Sequence, residues 1–403
     1  MAARGFRTLD DFAVSGKRVL VRSDLNVPLK DGMVADTLRI ERQAPTLREL
    51  AQKGARVIVL SHFGRPEGKR VTAMSLKSVV PALSAAIGRP VAFDDDCIGE
   101  NAKTAVGRMQ DGEILLLENT RFHEGEEAND PGFARAVALH GDIFVNDAFS
   151  AAHRAHATTE ALARLLPAAA GRALEAELGH LHRAFQGAER PLMAVIGGAK
   201  ISTKIGLLAN LLTRVDVLVI GGGMANTFLA AQGLEVGKSL CEPDHVETAR
   251  GILDTANAHG AAVILPVDVV VAKECKANAQ CRVVEANGVL ADEMILDVGP
   301  QTLDAFSARL EHVRTLVWNG PLGAFETPPF DRGTTEAAKL AAARTRAGKL
   351  LAVAGGGDTV AALTLAGVTE QLSYVSAAGG AFLEWLEGRD LPGIAALMQS
   401  RGE

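Results

Sequence analysis

Three consecutive glycines followed by an acidic residue form the clearest candidate phosphate-binding segment of this sequence. The glycines at 355–357 come after the apolar segment 350–354 and before Asp358 and Thr359, which open an alanine-rich stretch. Glycine lacks a Cβ, so the backbone can turn sharply and a bulky anion can reach its N–H groups. The N-terminus of a following helix adds unpaired donors and about half a positive charge. The pattern predicts a phosphate site, in which Asp358 is either a helix N-cap or a ligand of nucleotide-bound magnesium.

Two lysines that follow another pair of glycines point to the same chemistry. Lys200 and Lys204 come shortly after Gly197 and Gly198. A spacing of four residues predicts that both lysines lie on one face of the helix that the glycines open. Two cations near a helix N-terminus oppose its dipole unless an anion is bound there. We therefore favour phosphate contact over a pair of solvated lysines.

Arginine and histidine residues follow apolar segments in the first half of the chain, and Arg39 lies between two such segments. The residues at the ends of the segments are Arg22, His62, Arg65, Arg121, His153 and Arg154. One such residue alone is typical of a solvated surface. Several together predict a basic pocket for a small, multiply anionic substrate, because the arginine fork matches carboxylate and phosphate. Asp24 and Asn26 could bind substrate hydroxyls there, or could serve only the turn beside Pro28.

The elements that must position these residues are short apolar strands that alternate with helices. Such segments occur at 19–21, 57–60, 114–117 and 143–145 in the first half, and at 193–196, 217–220, 316–318, 350–354 and 374–376 in the second. Continuous apolar strands between helices indicate a parallel sheet covered on both faces. Ligands bind beyond the carboxyl ends of the strands in such sheets.

The loop chemistry differs between the two halves, since strands end in arginine and histidine in the first and in glycine in the second. We therefore predict an α/β fold with two doubly wound parallel-sheet (Rossmann-like) domains whose ligands face each other across a cleft. A connector helix over residues 168–185, with Leu174 and Phe185 among the apolar positions on one face, would join them. The ends of that helix could act as hinges.

Length and composition restrict the class of protein. A chain of 403 residues is long for one core, so two domains are expected. The net charge of −6 argues against a nucleic-acid or membrane-surface protein, and one Tyr and two Trp argue against base stacking on aromatic side chains. The four cysteines lack zinc-finger spacing and the start of the sequence lacks a signal-peptide core, which favours a reducing cytoplasm.

Several segments imitate motifs without meeting their requirements. Residues 233–239 resemble a P-loop but have three residues between the glycines where four are needed, and residues 221–226 lack the third glycine of a dinucleotide-binding turn. His123 with Glu124, Glu126 and Glu127 could suggest a metal site, but we interpret this group as an exposed acidic loop.

Taken in order, these motifs resemble those of the phosphoglycerate kinase family over essentially the whole chain. The matching segments are 22–28, 61–66, 118–122, 146–156, 197–204, 221–228, 318–326, 355–359 and 383–392. The resemblance implies a monomeric, cytoplasmic, two-domain enzyme of glycolysis. Such an enzyme transfers a phosphoryl group between 1,3-bisphosphoglycerate and ADP, giving 3-phosphoglycerate and ATP with magnesium. It implies no nucleic-acid partner and no membrane partner.

The resemblance also assigns expected roles to residues. The phosphoglycerate pocket would comprise Asp24, Leu25, Asn26, Arg39, His62, Phe63, Gly64, Arg65, Arg121 and Arg154. The nucleotide site would comprise Gly198, Ala199, Lys204, Gly222, Gly223, Asn319, Glu326, Gly356, Gly357, Asp358 and Thr359. Arg39 and Lys200 would stabilise the transferring group, Glu326 would lie near the ribose, and Asp358 would bind the metal.

The expected domain boundaries combine the predicted connector helix with this resemblance. They are a substrate domain at 1–167, the connector helix at 168–185, a nucleotide domain at 186–386, and a tail at 387–403 that returns to the first domain. The segment 376–380 reads Ser-Ala-Ala-Gly-Gly, where the family commonly has Ser-Thr-Gly-Gly-Gly. Two other functions stay open, a non-catalytic phosphometabolite-binding protein and a kinase for another small carboxylate. Transfer itself would depend on positioning and charge neutralisation, with hinge closure to exclude water.

Overall fold

The computed structural model describes residues 5–399, and these residues divide into two compact units. The first unit contains residues 5–178 and 390–399, and the second contains residues 179–389. Within the described residues, no helix is both long enough and apolar enough to cross a bilayer.

The first unit is built on a parallel sheet. The strands of this unit are β1 (Arg18–Arg22), β2 (Leu29–Lys30), β3 (Met33–Val34), β4 (Arg56–Leu60), β5 (Ala92–Asp94), β6 (Ile114–Leu117), β7 (Ile143–Asn146) and β8 (Ala168–Ala170). Six of these strands form one sheet in the order β5-β6-β4-β1-β7-β8, with all pairs parallel, while β2 and β3 form a small antiparallel hairpin. The central strands are buried on both faces, as their continuous apolar sequences predict.

Helices cover the sheet of the first unit. They are α1 (Leu38–Gln52), α2 (Val80–Ile87), α3 (Gly99–Arg108), α4 (Glu124–Glu127), α5 (Pro131–Ala138), α6 (Leu162–Leu165) and α7 (Arg172–Phe185), of which α7 extends into the second unit. Helices α1 and α2 pack with β1 and β4 in one apolar core that includes Leu47, Leu83 and Val59. The core fixes the strand ends, and so it fixes the loops that carry the candidate site residues.

The predicted connector helix begins later than the sequence suggested. We expected a helix over 168–185, but Ala168–Ala170 form strand β8, which pairs in parallel with β7, and α7 starts at Arg172. Alanine has a high intrinsic helix propensity, yet pairing with a neighbouring strand overrides it where the side chains are wholly buried. At the N-terminus of α7, the buried Asp147 Oδ1 accepts a hydrogen bond from the Leu174 N–H at 3.0 Å. Burial raises the pKa of Asp147 to about 7.

The second unit repeats the architecture of a parallel sheet and adds a small antiparallel sheet. Its strands are β9 (Leu192–Ile196), β10 (Val217–Ile220), β11 (Ala262–Ile264), β12 (Asp268–Ala272), β13 (Cys281–Glu285), β14 (Met294–Val298), β15 (Thr315–Asn319), β16 (Leu351–Gly355) and β17 (Tyr374–Ser376). The parallel sheet has the order β11-β10-β9-β15-β16-β17, and the antiparallel sheet has the order β13-β12-β14. The sequence did not lead us to expect the antiparallel sheet.

The helices of the second unit follow its parallel strands. They are α8 (Ile205–Leu212), α9 (Gly223–Ala231), α10 (Val246–Ala258), α11 (Pro300–Leu310), α12 (Arg332–Arg346), α13 (Gly357–Leu365) and α14 (Gly379–Leu386). The α9, α13 and α14 helices begin directly at glycines, so their N-termini lie beside the carboxyl ends of β10, β16 and β17. The prediction of two parallel-sheet α/β domains is confirmed.

The C-terminal tail belongs to the first unit. After residue 389 the chain forms α15 (Pro392–Gln399). The Gly393 N–H donates to the Ala152 carbonyl at 2.9 Å, and Leu397 is wholly buried. The expected return of the tail is therefore confirmed, and the tail supports the loop that carries Arg154.

Candidate functional site

Asp24 and Arg39 form the starting point of the candidate substrate site in the first unit. Asp24 follows β1, and Arg39 lies in the first turn of α1. The Arg39 Nη1 donates to Asp24 Oδ2 at 3.1 Å and to the Asn26 carbonyl at 3.2 Å. The Ser150 hydroxyl donates to the same Asp24 oxygen at 2.6 Å. Asp24 is 7% exposed, so its carboxylate fixes both partners, while the Arg39 side chain keeps 37% of its surface exposed.

The loop after β4 is held against neighbouring strand ends. The Asn26 Oδ1 accepts from the Gly64 N–H at 2.9 Å, and the Arg121 Nη1 donates to the Gly64 carbonyl at 2.8 Å. The Phe63 N–H donates to Asn119 Oδ1 at 3.1 Å. Leu25 is wholly buried and Phe63 is 7% exposed, so these two predicted site residues contribute packing and backbone position. The loops after β1, β4 and β6 thus meet at one rim.

His62 is buried and neutral. Its Nδ1 lies 3.0 Å from the Arg22 Nη2, and a guanidinium can only donate, so Nδ1 accepts and the proton is on Nε2. Burial lowers the pKa of His62 well below its usual value, and the positive charges of Arg22, Arg121 and Arg39 act in the same direction. His62 therefore presents a neutral N–H donor rather than a cation.

Arg22 does not lie on the rim where we expected it. The side chain is wholly buried, and it donates to the Thr158 hydroxyl at 2.9 Å, to the Ser23 carbonyl at 2.7 Å and to His62. The wholly buried Glu126 accepts from the N–H and the hydroxyl of Thr158, and its charge acts on the Arg22 guanidinium. The expectation of an exposed acidic loop is therefore wrong for Glu126, because this carboxylate balances a buried cation.

The remaining cations of the first unit differ in exposure. Arg65 is exposed and Arg154 is half-buried, whereas Arg121 is only 6% exposed and its Nε lies 3.1 Å from Glu127 Oε1. Burial lowers the pKa of Arg121, Glu127 opposes this shift, and Arg154 reinforces it. The structure thus brings Arg121 and Arg154 close enough to repel each other, which a bound anion would relieve.

Glycines allow three loops of the second unit to approach one another. A Cβ at Gly197 or at Gly320 would collide with backbone of the facing loop, and a Cβ at Gly222 would lie 2.7 Å from the Gly198 carbonyl oxygen. Gly320 has φ +102°, which is open to glycine and strained for other residues. The Met224 N–H donates to the Gly198 carbonyl at 2.9 Å. The loops after β9, β10 and β15 therefore form one bare backbone surface.

Lys204 and Asn319 connect these loops to the glycines after β16. The Lys204 amine donates to Asn319 Oδ1 at 2.6 Å and to the Gly197 carbonyl, while the Asn319 amide donates to the Gly355 carbonyl at 2.7 Å. Burial lowers the pKa of Lys204 to about 8, although the charge of Asp358 acts in the opposite direction. Thr359 accepts from the Gly320 N–H at 2.7 Å.

Lys200 and Lys204 do not share one face of a helix, so that expectation is wrong. Lys200 is extended and precedes the 3-10 helix Ile201–Thr203, and Lys204 stands between this segment and α8. The break places Lys204 among buried carbonyls and leaves Lys200 exposed. Within residues 5–399, the Lys200 amine has no hydrogen bond or ion pair, so its charge is available to a ligand.

A cavity of about 570 Å³ lies beside the glycine loops. Its lining includes Gly198, Ala199, Gly222, Gly223, Glu326 and Asp358 of the predicted nucleotide site. Lys204, Asn319, Gly356, Gly357 and Thr359 are not part of this lining, although hydrogen bonds connect Lys204, Asn319 and Thr359 to the loops that are. The volume falls within the range of small-molecule sites.

The apolar part of the cavity was missed by sequence reasoning. Leu240, Pro266, Met294, Leu296 and Phe325 line it, together with Lys238 and Cys275. Of these residues, Lys238 carried a signal, since it belongs to the segment that imitates a P-loop, and Phe325 fell within one matching motif. The others come from loops and from strand β14, which belongs to the small antiparallel sheet that the sequence did not predict.

Asp358 is an exposed carboxylate in the first turn of α13 and lines the cavity. Gly356, with φ +102°, occupies the N-cap position of that helix, so the interpretation of Asp358 as the N-cap is wrong. An exposed carboxylate beside a candidate phosphate site fits magnesium, which is usually held by one or two carboxylates and substrate phosphates. Asp358 is therefore free to serve as a ligand.

The altered turn at 376–380 keeps a helix N-terminus at the strand end. Ser376 is buried, and its hydroxyl accepts from the Ala378 N–H at 3.2 Å. Gly379 opens α14. The alanines in this turn thus leave the glycine at the start of the helix in place.

Comparison with known proteins identifies the family. The phosphoglycerate kinase family model matches residues 9–389. The phosphoglycerate kinase of Sinorhizobium medicae is 60% identical over 397 residues, which cover 98% of this chain and 100% of the relative. The phosphoglycerate kinase of Rhodospirillum centenum is 61% identical over 392 residues, covering 97% of this chain and 99% of the relative. The structure of phosphoglycerate kinase from Coxiella burnetii superposes with a TM-score of 0.92 at 42% identity, covering 99% of this chain and 100% of that one. The chain belongs to the phosphoglycerate kinase family.

Proposed function

We propose that this chain, as a glycolytic phosphoglycerate kinase, transfers a phosphoryl group reversibly from 1,3-bisphosphoglycerate to ADP, giving 3-phosphoglycerate and ATP. One observation carries the proposal. A chain that matches the family over residues 9–389 holds a guanidinium and imidazole rim in one unit and a glycine-walled cavity in the other. These are the two kinds of site that a compact acid phosphate and a nucleotide require.

The substrate would bind at the rim of the first unit. Arg39, Arg65, Arg121 and Arg154 supply the charge that phosphate and carboxylate require. His62 adds a neutral donor, because Arg22 holds its Nδ1 as the acceptor. Two of these arginines need no rearrangement to accept an anion, since Arg65 is exposed and Arg39 is partly exposed. Asp24 and Asn26 would set the position of Arg39 and of the substrate hydroxyl.

The nucleotide would bind in the cavity of the second unit. The apolar wall around Leu240 and Phe325 suits the base, and the exposed Glu326 suits the ribose hydroxyls. The phosphates would lie against the loops at Gly198, Gly222 and Gly356, where peptide N–H groups are not covered by a Cβ. Lys204 would contribute its charge from beneath these loops.

Magnesium would be held by Asp358 together with the nucleotide phosphates. A magnesium ion bound there would neutralise part of the charge of the nucleotide phosphates. The chain's own part is to present the carboxylate at the helix start, and the structure does this because Gly356 takes the N-cap position.

The transfer step requires positioning more than covalent chemistry. The bond between phosphorus and the carboxylate oxygen of 1,3-bisphosphoglycerate breaks, and a bond to the terminal phosphate oxygen of ADP forms. The departing carboxylate is a weak base, so no general acid is needed. Arg39 and Lys200 would stabilise the charge on the migrating group, since each presents an exposed or partly exposed cation. Hinge closure would exclude water during transfer.

The family resemblance also supports a monomer that acts in the cytoplasm, and both remain part of the proposal. Light scattering on the purified chain tests the first of these points. A mass near 42.2 kDa is expected.

A coupled assay with 3-phosphoglycerate, ATP and magnesium tests the proposed reaction. We expect magnesium-dependent ADP formation that requires 3-phosphoglycerate. Nucleotide binding without turnover would instead indicate a non-catalytic phosphometabolite-binding protein. Turnover only with another small carboxylate would indicate a different acceptor. Either result would overturn the proposal.

A further inference from the structure

Three potential metal ligands that do not belong to the predicted substrate pocket cluster in the first unit. They are Asp96, Cys97 and His123, whose ligand atoms all lie within 4.8 Å of one another. The His123 Nε2 lies 2.7 Å from Asp96 Oδ1. Asp96 and Cys97 follow strand β5, and His123 comes directly after the 3-10 helix Thr120–Phe122. The cluster thus joins two loops of the unit.

We propose that Asp96, Cys97 and His123 bind one zinc ion, with water as the fourth ligand. Thiolate, imidazole and carboxylate are all zinc ligands, and a set of three protein groups leaves one position open. Ligand atoms about 2.0 Å from a tetrahedral zinc stand about 3.3 Å apart, and a sulfur at about 2.3 Å stands slightly farther from the others. The observed spacing therefore requires movements on the order of 1 Å.

The charges around Cys97 favour a cation. The Cys97 thiol is 1% exposed, and burial raises its pKa well above the usual value. The negative charges of Asp96, Glu126 and Glu118 act in the same direction. A divalent cation bound by one thiolate, one carboxylate and a neutral imidazole gives a site of zero net charge. Binding would displace the thiol proton into solvent, so one proton leaves for each zinc that enters.

Neighbouring groups already orient the candidate ligands. The Cys97 N–H donates to Asp96 Oδ1 at 2.7 Å, and the Arg70 Nη2 contacts the other carboxylate oxygen, Oδ2, at 3.3 Å. The His123 ring packs against Phe133 with 5.2 Å between ring centres. Such partners fix ligand direction and strengthen metal binding. The His123 side chain is 28% exposed, which gives a metal ion a route to the buried thiol.

Sequence reasoning did not find this group, for two reasons. The cysteines lack a C-x-x-C pair, and His123 was weighed against the glutamates next to it in sequence rather than against Asp96, which is 27 positions away. A bound zinc ion would link the loop that carries His123 to the end of strand β5. Arg121 lies in the 3-10 segment just before His123, so zinc would stiffen the support of that arginine.

Zinc binding can be measured directly on the full, metal-free chain, independently of the kinase reaction. Isothermal calorimetry in two buffers of different ionisation enthalpy should show one zinc per chain and release of about one proton. Cobalt substitution should give the visible bands of tetrahedral cobalt and a sulfur-to-cobalt charge-transfer band. Absence of zinc binding, or a cobalt spectrum without thiolate ligation, would refute the site.

Variants separate this site from adventitious binding. His123→Gln removes a ligand at a partly exposed position and should lower zinc affinity on the order of 100-fold without unfolding the chain. Cys97→Ser should abolish the charge-transfer band. Cys275→Ser and Cys281→Ser are matched controls at exposed cysteines and should change neither readout. If Cys97→Ser fails to fold, the His123→Gln calorimetry decides, and unchanged affinity in that variant contradicts the proposal.

Discussion

Lysines of the second unit show how position decides what a charged residue does. Lys204 is surrounded by the acceptors Asn319 Oδ1 and the Gly197 carbonyl, whereas Lys200, four positions earlier, is exposed. The first lysine stabilises the arrangement of the loops and carries a lowered pKa. The second has no such structural partner within the described chain. We therefore expect the two lysines to respond differently to substitution.

Lys200→Ala should impair turnover without impairing the fold. Removal of one preorganised positive group from a transition state costs about 100-fold or more in kcat. An exposed side chain without partners contributes less than about 0.5 kcal/mol to stability. Steady-state kinetics and thermal unfolding measure the two effects. Lys349→Ala, at another exposed lysine of the same unit, is the control and should leave both unchanged. An unchanged kcat in Lys200→Ala would remove this residue from the mechanism.

Nucleotide affinity should fall as the pH rises through about 8. Lys204 in the free site has a pKa of about 8, so it loses its charge above that pH, while a bound phosphate favours the charged form. Phosphate groups titrate near pH 6 and are already ionised in this range. Calorimetric titration with ADP and magnesium at pH 7, 8 and 9 should show a loss of about fivefold between the last two values, because the charged fraction of the free lysine falls from about one half to about one tenth.

The control for this titration is the same measurement on Lys204→Arg and Lys204→Ala. The arginine stays charged and the alanine has no charge, so both variants should show a flat affinity between pH 8 and 9. A wild-type slope that persists in Lys204→Ala would assign the titration to another group.

Residue identities in both sites could be read from the sequence, but burial could not. Arg22 ends strand β1 and Arg65 follows strand β4, and nothing local shows that the first is buried and the second exposed. Arg22 can be buried because Thr158, 136 positions away, accepts a hydrogen bond from it. Thr158 in turn donates to Glu126, whose negative charge balances the buried guanidinium. Such partners come from distant elements, so exposed and internal cations look alike in the sequence.

At the scale of elements, the apolar segments and the chemistry of the loops after them predicted the parallel sheets. They did not predict strand β8 or the antiparallel sheet. The strands β1, β4, β6 and β7 are continuous apolar runs and were expected. Strand β8 has a helix-forming composition and depends on pairing with β7 for its conformation. Strands β13 and β14 of the antiparallel sheet are partly exposed and less uniformly apolar, which weakens their pattern.

Gly320→Ala should disrupt the junction of the glycine loops. The φ of +102° strains an alanine, and its Cβ would collide with the Gly197 backbone. We expect a loss of at least about 3 kcal/mol in stability, or loss of nucleotide binding if the loops separate. Thermal unfolding and nucleotide titration measure both effects.

The matched control for the glycine junction is Gly251→Ala in helix α10 of the same unit. A Cβ there meets no atom within 4 Å, so removal of backbone freedom should stabilise the chain by about 0.5–1 kcal/mol. If Gly320→Ala were as stable as this control and bound nucleotide normally, close approach of the loops would not require glycine.

At the scale of the whole molecule, two segments of the chain pass between the units. One is helix α7, which begins in the first unit and ends in the second, and the other precedes α15 near residue 389. The return of α15 to the loop at Ala152 means that the first unit is completed only by the last described residues. The sequence predicted this return through the family resemblance, since no local pattern encodes the partner of a terminal helix.

Phosphoryl transfer imposes a requirement on the two units together. The reacting atoms must come within about 3–3.5 Å, although the proposed ligands bind to different units. We therefore expect small-angle scattering to change when 3-phosphoglycerate and ADP with magnesium, a pair that cannot react, are both present. A single compact body of 403 residues has a radius of gyration of about 21 Å, and the ternary complex should approach that value. Either ligand alone is the control and should produce a smaller change. Identical profiles for the free chain and the ternary complex, at ligand concentrations that calorimetry shows to be saturating, would contradict closure as a step of the reaction.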